Sequence, residues 1–329
     1  MTRRLPFRAH RAEGKTIMKN VMIHNKETAV IGIDHGYGNI KTANTCFKAG
    51  VTAYDKEPTF KNNLLIYENH FYQIGEERKE FLAEKMQDQD YYILTLAGIA
   101  REMHIAGVTN ANVHIAAGLP LTWVSEQKEA FRSYLLQTTA ADFTFRDITY
   151  HVDFAGADVF PQGFCAVADH LHEFTGINML CDIGNGTMNV MYINEKKPVA
   201  SKCYTEKYGT NQCMIAVREE LMKRFGVLVD DSVIDRVIRF GTADISARYL
   251  DAITETAKEY VAGIFRRLRE HEYDPELMRL YVVGGGSCMI RHFGDYDEKR
   301  VTINEDICAT AKGYEALAVT NLRKTGGIG

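Results

Sequence analysis

Proline is scarce in this chain, with 6 among 329 residues, and tryptophan occurs once. Together with 46% apolar and 25% charged residues, that scarcity excludes a disordered or fibrous chain. The seven cysteines (46, 165, 181, 203, 213, 288 and 308) include no Cys-x-x-Cys pair. Odd in number and partly embedded in apolar runs, they read as buried, reduced thiols rather than as a disulfide framework or a zinc site. No apolar stretch approaches the roughly 18 residues of a membrane span, and the basic first 20 residues lack the apolar stretch of a signal peptide. A cytoplasmic protein is expected. A formal net charge of -4 gives no global attraction to nucleic acid, so strong direct DNA binding is not expected either.

What is present is enough chain for two domains of roughly 150 residues each, with a cleft between them as the default ligand site. A β-branched run from Ala29 stops at a Gly-rich turn and resumes at Ile40, which reads as a hairpin. The stretch from Asp88 to Ala106 has helical spacing, half buried and capped by Asp88. Val113 to Ala117 is a buried-type strand, followed by a helix from about Ser125 to Leu136. Pro161 opens a helical turn towards His170. Met179 to Asn194 forms a second hairpin, and helices over 211–225 and 246–271 precede a strand at 280–283. A last helix covers about 305–322.

One pattern occurs twice. Ile33-Asp34-His35-Gly36-Tyr37-Gly38-Asn39-Ile40 and Cys181-Asp182-Ile183-Gly184-Asn185-Gly186-Thr187-Met188 both place Asp-x-Gly-x-Gly after a strand, one copy in each half of the chain. A single copy is an ordinary tight turn. Two facing copies would wrap a polyphosphate, because glycine removes the Cβ that keeps backbone N–H groups from phosphate oxygens. Asp34 and Asp182 then become the metal-shell candidates, since Mg²⁺ keeps most of its waters and takes one or two carboxylates. Lys41, on the returning strand, would offset phosphate charge. Gly284-Gly285-Gly286, after a strand, offers a flat surface for adenine. Neither GxxxxGK[ST] nor GxGxxG is present, because Lys41 stands where the latter needs glycine. His35 reads as an exposed turn residue.

These stretches resemble the actin, Hsp70 and sugar-kinase superfamily, and within it the ParM/StbA plasmid-segregation proteins. The loop from Asp34 to Lys41 is similar to the ParM-type phosphate loop down to Asn39 and Lys41. Leu94 to Glu102 and Gly118-Leu119-Pro120-Leu121 resemble stretches typical of that group. Asp182 to Thr187 matches the second phosphate loop, Val282 to Gly286 the adenosine motif, and Ala311-Lys312-Gly313-Tyr314 a second connecting helix. Val159-Phe160-Pro161-Gln162-Gly163 resembles the helix start that carries the water-orienting residue.

The resemblance implies an α/β, actin-like ATPase fold of two ribonuclease-H-like domains around a nucleotide cleft. Residues 1–27 are a basic tail, 28–178 domain I, 179–304 domain II, and 305–329 a helix returning to domain I. It implies Gln162, Asp182 and Asp34 as catalytic residues, with Asp34 and Asp182 at Mg²⁺. Gly36, Tyr37, Gly38, Asn39, Lys41, Gly184, Asn185, Gly186, Thr187, Gly284, Gly285 and Gly286 would hold ATP, or GTP as the alternative. The ribose-binding acid is Glu219 or Glu220. Implied partners are further copies of the chain, in filaments, and an adaptor protein on centromere-like DNA. A small-metabolite or sugar kinase of the same superfamily is the rival reading.

Overall fold

In the computed structural model, residues 18–23, 26–75 and 89–326 are described. The first unit runs through β1 (Lys19–Ile23), β2 (Lys26–His35), β3 (Asn39–Lys41), β4 (Cys46–Lys48), β5 (Val51–Tyr54), β6 (Leu64–Tyr67) and β7 (His70–Ile74). It continues with α1 (Asp90–Ala106), β8 (Asn110–Leu119), α2 (Leu121–Leu135), β9 (Ala140–Phe145), β10 (Ile148–Pro161) and a 3₁₀ helix (Phe164–Glu173). The second comprises β11 (Ile177–Ile183), β12 (Met188–Asn194), β13 (Lys197–Glu206), α3 (Thr210–Phe225), α4 (Asp231–Phe240), α5 (Ala247–Glu270), β14 (Arg279–Val283), α6 (Ser287–Phe293) and β15 (Val301–Ile303). α7 (Ala309–Gly326) follows.

The two sheets share a plan. In the second, the order is β13-β12-β11-β14-β15, an antiparallel meander of three strands followed by two parallel ones. Within the first, β4-β3-β2-β8-β10 repeats it, with β2, β8 and β10 parallel and β2, β3 and β4 antiparallel. β2 therefore corresponds to β11, and the β2–β3 turn to the β11–β12 turn. The repeated Asp-x-Gly-x-Gly pattern occupies equivalent corners of two equivalent sheets. Both corners lie at the carboxyl ends of parallel strands, where open α/β sheets place their ligands.

The first sheet then extends through β9, β6, β7 and β5. Strands near both ends of this path, β3 and β5, pack on α1. That is why α1 is buried along nearly its whole length, from Tyr91 to Met103, rather than half buried. Two of its buried polar side chains are bonded within the unit: Thr95 Oγ1 donates to the Tyr91 carbonyl (2.7 Å), and Glu102 accepts from the Asn44 backbone N–H (2.9 Å) and from Thr42 Oγ1. Asp88, expected as its cap, lies outside the described residues.

α7 returns to pack on β1, β2 and β8. Its Glu315 carboxylate accepts from the Gly32 N–H (3.2 Å), and burial pushes that carboxyl up to about 7. Of the expected basic tail, residues 1–17 lie outside the described residues, whereas Lys19–Ile23 pairs with β2 as an antiparallel strand. No described helix is long and apolar enough to cross a membrane.

Candidate active site

Between the two units lies a cleft of about 1040 Å³, part of it open to solvent. The first unit lines it with Asp34, Gly36, Tyr37, Gly38, Asn39, Lys41 and Gln162. Facing them are Asp182, Gly184, Asn185, Gly186 and Thr187. The two turns abut: a Cβ on Gly38 would stand 2.8 Å from the Asn185 side chain, so glycine there permits the approach. Thr210, first residue of α3, donates its N–H to the Gly184 carbonyl (3.1 Å). The positive end of that helix therefore points towards the second turn, where it favours an anion.

The two aspartates are held differently. Asp34, 2% exposed, accepts from Lys41 Nζ at 3.1 Å and from Gln162 Nε2 at 2.8 Å. Lys41 is half-buried, and desolvation pulls its ammonium down, but Asp34 and then Asp182 outweigh this and raise it above its ordinary value. Asp182, 6% exposed, makes no hydrogen bond or ion pair with another described residue. It is boxed instead by backbone: a Cβ on Gly284 (φ +87°) would stand 2.4 Å from Asp182 Oδ1, and one on Gly163 (φ +79°) 3.0 Å from Oδ2. Burial pushes the Asp182 carboxyl up from 3.8 to about 6; Lys41 opposes this and Asp34 adds to it.

A buried carboxylate with no protein partner is costly unless a cation joins it. Two carboxylates against one ammonium leave the floor of the cleft short of positive charge. The described residues hold no cluster of three or more metal-ligating side chains. The two buried carboxylates, Asp34 and Asp182, are the kind of donors that suit Mg²⁺, which takes one or two carboxylates and completes its shell with water and phosphate oxygens. The residues fit such an ion at Asp182, with Asp34 beside it.

Several expectations need correction. Pro161 is the last residue of β10, not the start of a helix, and Gln162 sits in the turn that precedes the 3₁₀ helix. His35 is fully buried, bonded to Thr95 Oγ1 (2.7 Å) and packed edge-on to Tyr91 and Phe131. Neither candidate ribose acid lines the cleft. Glu219 is exposed, and Glu220 pairs with Arg224 on the outer face of α3. Among the three glycines after β14, only Gly285 lines the cleft, with open space where a Cβ would be. Gly284 makes room for Asp182, and Gly286 for Ile183. Cys46 is exposed and Cys288 half-buried, and both line the cleft.

The sequence reading also missed α4, which supplies Asp235, Ile238 and Arg239 to the cleft. Arg239 Nε donates to Asp235 Oδ2 at 2.7 Å, so an i, i+4 pair that looks like routine helix surface charge forms a polar wall.

The comparisons agree with this architecture. Residues 32–164 match the family of actin-like proteins, N-terminal domain, and residues 180–294 match the C-terminal domain of the archaeal actin homologue, MreB-like family. Together these stretches span most of the chain, which belongs to the actin-like proteins. No curated protein matches it by sequence.

Among solved structures, the archaeal actin homologue Ta0583 in complex with ADP aligns with a TM-score of 0.70 and 17% identity, covering 88% of this chain and 98% of its own. Bacillus thuringiensis ParM with ATP gives 0.68 and 12%, covering 88% and 98%. The Alp12 filament structure gives 0.65 and 14%, covering 89% and 99%. The fold is the actin-like ATPase fold.

Proposed function

We propose that this chain is a polymerising ATPase that acts in the cytoplasm and segregates plasmid or other DNA through an adaptor protein. The observation that carries the enzymatic part is the asymmetric aspartate pair: Asp182 buried without a partner among the described residues, and Asp34 held by Lys41 and Gln162. The β2–β3 and β11–β12 turns would grip the phosphates of ATP with backbone N–H groups, and Gly285 would lie against the base. Asp182, with Asp34 beside it, would hold Mg²⁺ through its waters, and the ion would supply positive charge to the phosphates. Gln162 would surrender its bond to Asp34 and orient the attacking water. In phosphoryl transfer the protein mainly positions groups and stabilises charge, so a neutral amide suffices.

Polymerisation is supported by the likeness to Alp12, whose structure is a filament, and by the fold shared with ParM. A head-to-tail contact that does not close into a ring propagates as a polymer. The net charge of -4 favours reaching DNA through an adaptor rather than directly. Sedimentation and electron microscopy with and without ATP and Mg²⁺ test this reading. Filaments are expected with ATP and should disappear as it is consumed. A protein that stays in the supernatant and phosphorylates a sugar instead would overturn it.

A further inference from the structure

Away from the cleft, two arginines converge on one neutral oxygen. Arg101, in the C-terminal part of α1, lays its guanidinium 4.4 Å from the Phe47 ring centroid and 5.2 Å from that of Phe145. Arg146, in the β9–β10 turn, approaches the Phe145 ring to 5.4 Å. Arg101 Nη2 donates to Asn63 Oδ1 at 3.3 Å, and Arg146 donates to the same oxygen from Nε at 2.8 Å and from Nη2.

Neither arginine forms an ion pair with a described residue. The nearby acids are engaged elsewhere or exposed: Glu102 is bonded to Thr42 and Asn44, Glu57 pairs with Lys61, and Asp147 is the exposed neighbour of Arg146 in its turn. Arg101 Nε is buried with no hydrogen-bond partner. Burial, and secondly the charge of Arg146, pull the Arg101 guanidinium down to about 10.

Two like charges gathered on a single amide oxygen repel each other, and most of their N–H donors have no partner among the described residues. The aromatic faces of Phe47 and Phe145 steady one fork, while the backbone N–H of Arg146, bonded to the Leu64 carbonyl at 3.1 Å, fixes the turn that carries the other. We propose that Arg101 and Arg146, with Asn63 between them, form a receiving site for an oxyanion of the phosphate or carboxylate type, separate from the nucleotide cleft. Planar guanidinium forks match both anions bidentately, and an anion there would relieve the repulsion.

Thermal unfolding of the full chain tests the site, with inorganic phosphate and, in parallel, glutarate titrated at constant ionic strength. Arg146→Gln is the first variant, because that side chain is exposed in a turn and its one ring contact, with Phe145, is shared with Arg101. Anion bound in the cleft contributes equally to both proteins, so the difference between them isolates this site. The wild type should show a saturable rise in Tm, and its half-saturation should move about tenfold or more in Arg146→Gln. Arg101→Lys, which keeps the charge but loses the fork, should weaken binding in the same direction. Response to phosphate alone assigns a phosphate-type ligand, and response to glutarate alone a carboxylate such as an acidic side chain presents. Superimposable titrations of wild type and Arg146→Gln, or no response to either anion, would overturn the proposal.

Discussion

The β2–β3 and β11–β12 turns begin with the same pattern on the same strand arrangement, yet their aspartates end in opposite states. Asp34 is tied by Lys41 and Gln162, both from its own side of the cleft. Asp182 is tied by no described residue and sits in a box that Gly163 and Gly284 leave open for it. A duplicated motif thus divides its labour: one copy organises the cation and the amide, and the other keeps a carboxylate available. The difference comes from what stands beside each turn. Position 41 on β3 is lysine, whereas the corresponding strand after the second turn carries Met188, Asn189 and Val190.

The largest expected effect separates the two copies directly. Asp182→Ala should abolish phosphate release while leaving the fold intact, because its side chain is hydrogen-bonded to no described residue. Asp34→Ala should also suppress turnover but in addition lower the unfolding temperature, since it leaves half-buried Lys41 without its 3.1 Å partner. Equal stability losses in the two variants would erase the asymmetry.

Next in size is Gln162→Ala. Nucleotide affinity should stay nearly unchanged while turnover falls, on the order of the 10²–10⁴-fold typical of a positioned proton-transfer or water-holding group. Polymers should still assemble and persist longer. Phosphate release followed beside light scattering checks both, and normal turnover with normal polymer lifetime would remove Gln162 from the reaction.

The paired turns were legible in the sequence because close backbone approach demands glycine, and glycine at fixed spacing survives as a pattern. The wall formed by Asp235 and Arg239 was not legible, since an acid and a base four apart on a helix look the same on any surface. The exposed position of Glu219 follows from the helical period. Cys213, Met214, Val217 and Leu221 are the buried stripe of α3, and position 219 falls opposite it. His35 escaped because a polar residue inside a glycine turn reads as solvated, and only the tertiary placement of Tyr91, Thr95 and Phe131 buries it. The first-sheet extension through β5, β6 and β7 went unread because its strands are only four or five residues long.

A smaller effect appears with pH. The Asp182 carboxyl rises from 3.8 to about 6 on folding, so the folded state holds this proton more tightly. Its contribution to stability is therefore fully present below the unfolded value and is lost as pH rises through about 6. Thermal unfolding without nucleotide should show wild type losing stability relative to Asp182→Asn across that window. Parallel curves for the two proteins would mean that the box around Asp182 does not perturb it.

The most direct test of the unequal pair is the effect of Mg²⁺ on nucleotide affinity, measured by equilibrium titration of ATP with wild type and with Asp182→Asn. Mg²⁺ should tighten ATP binding to the wild type and have little effect on the variant, whose amide offers the ion a neutral oxygen in place of a carboxylate. Equal tightening by Mg²⁺ in both proteins would contradict the assignment of Asp182 as the carboxylate that receives the metal.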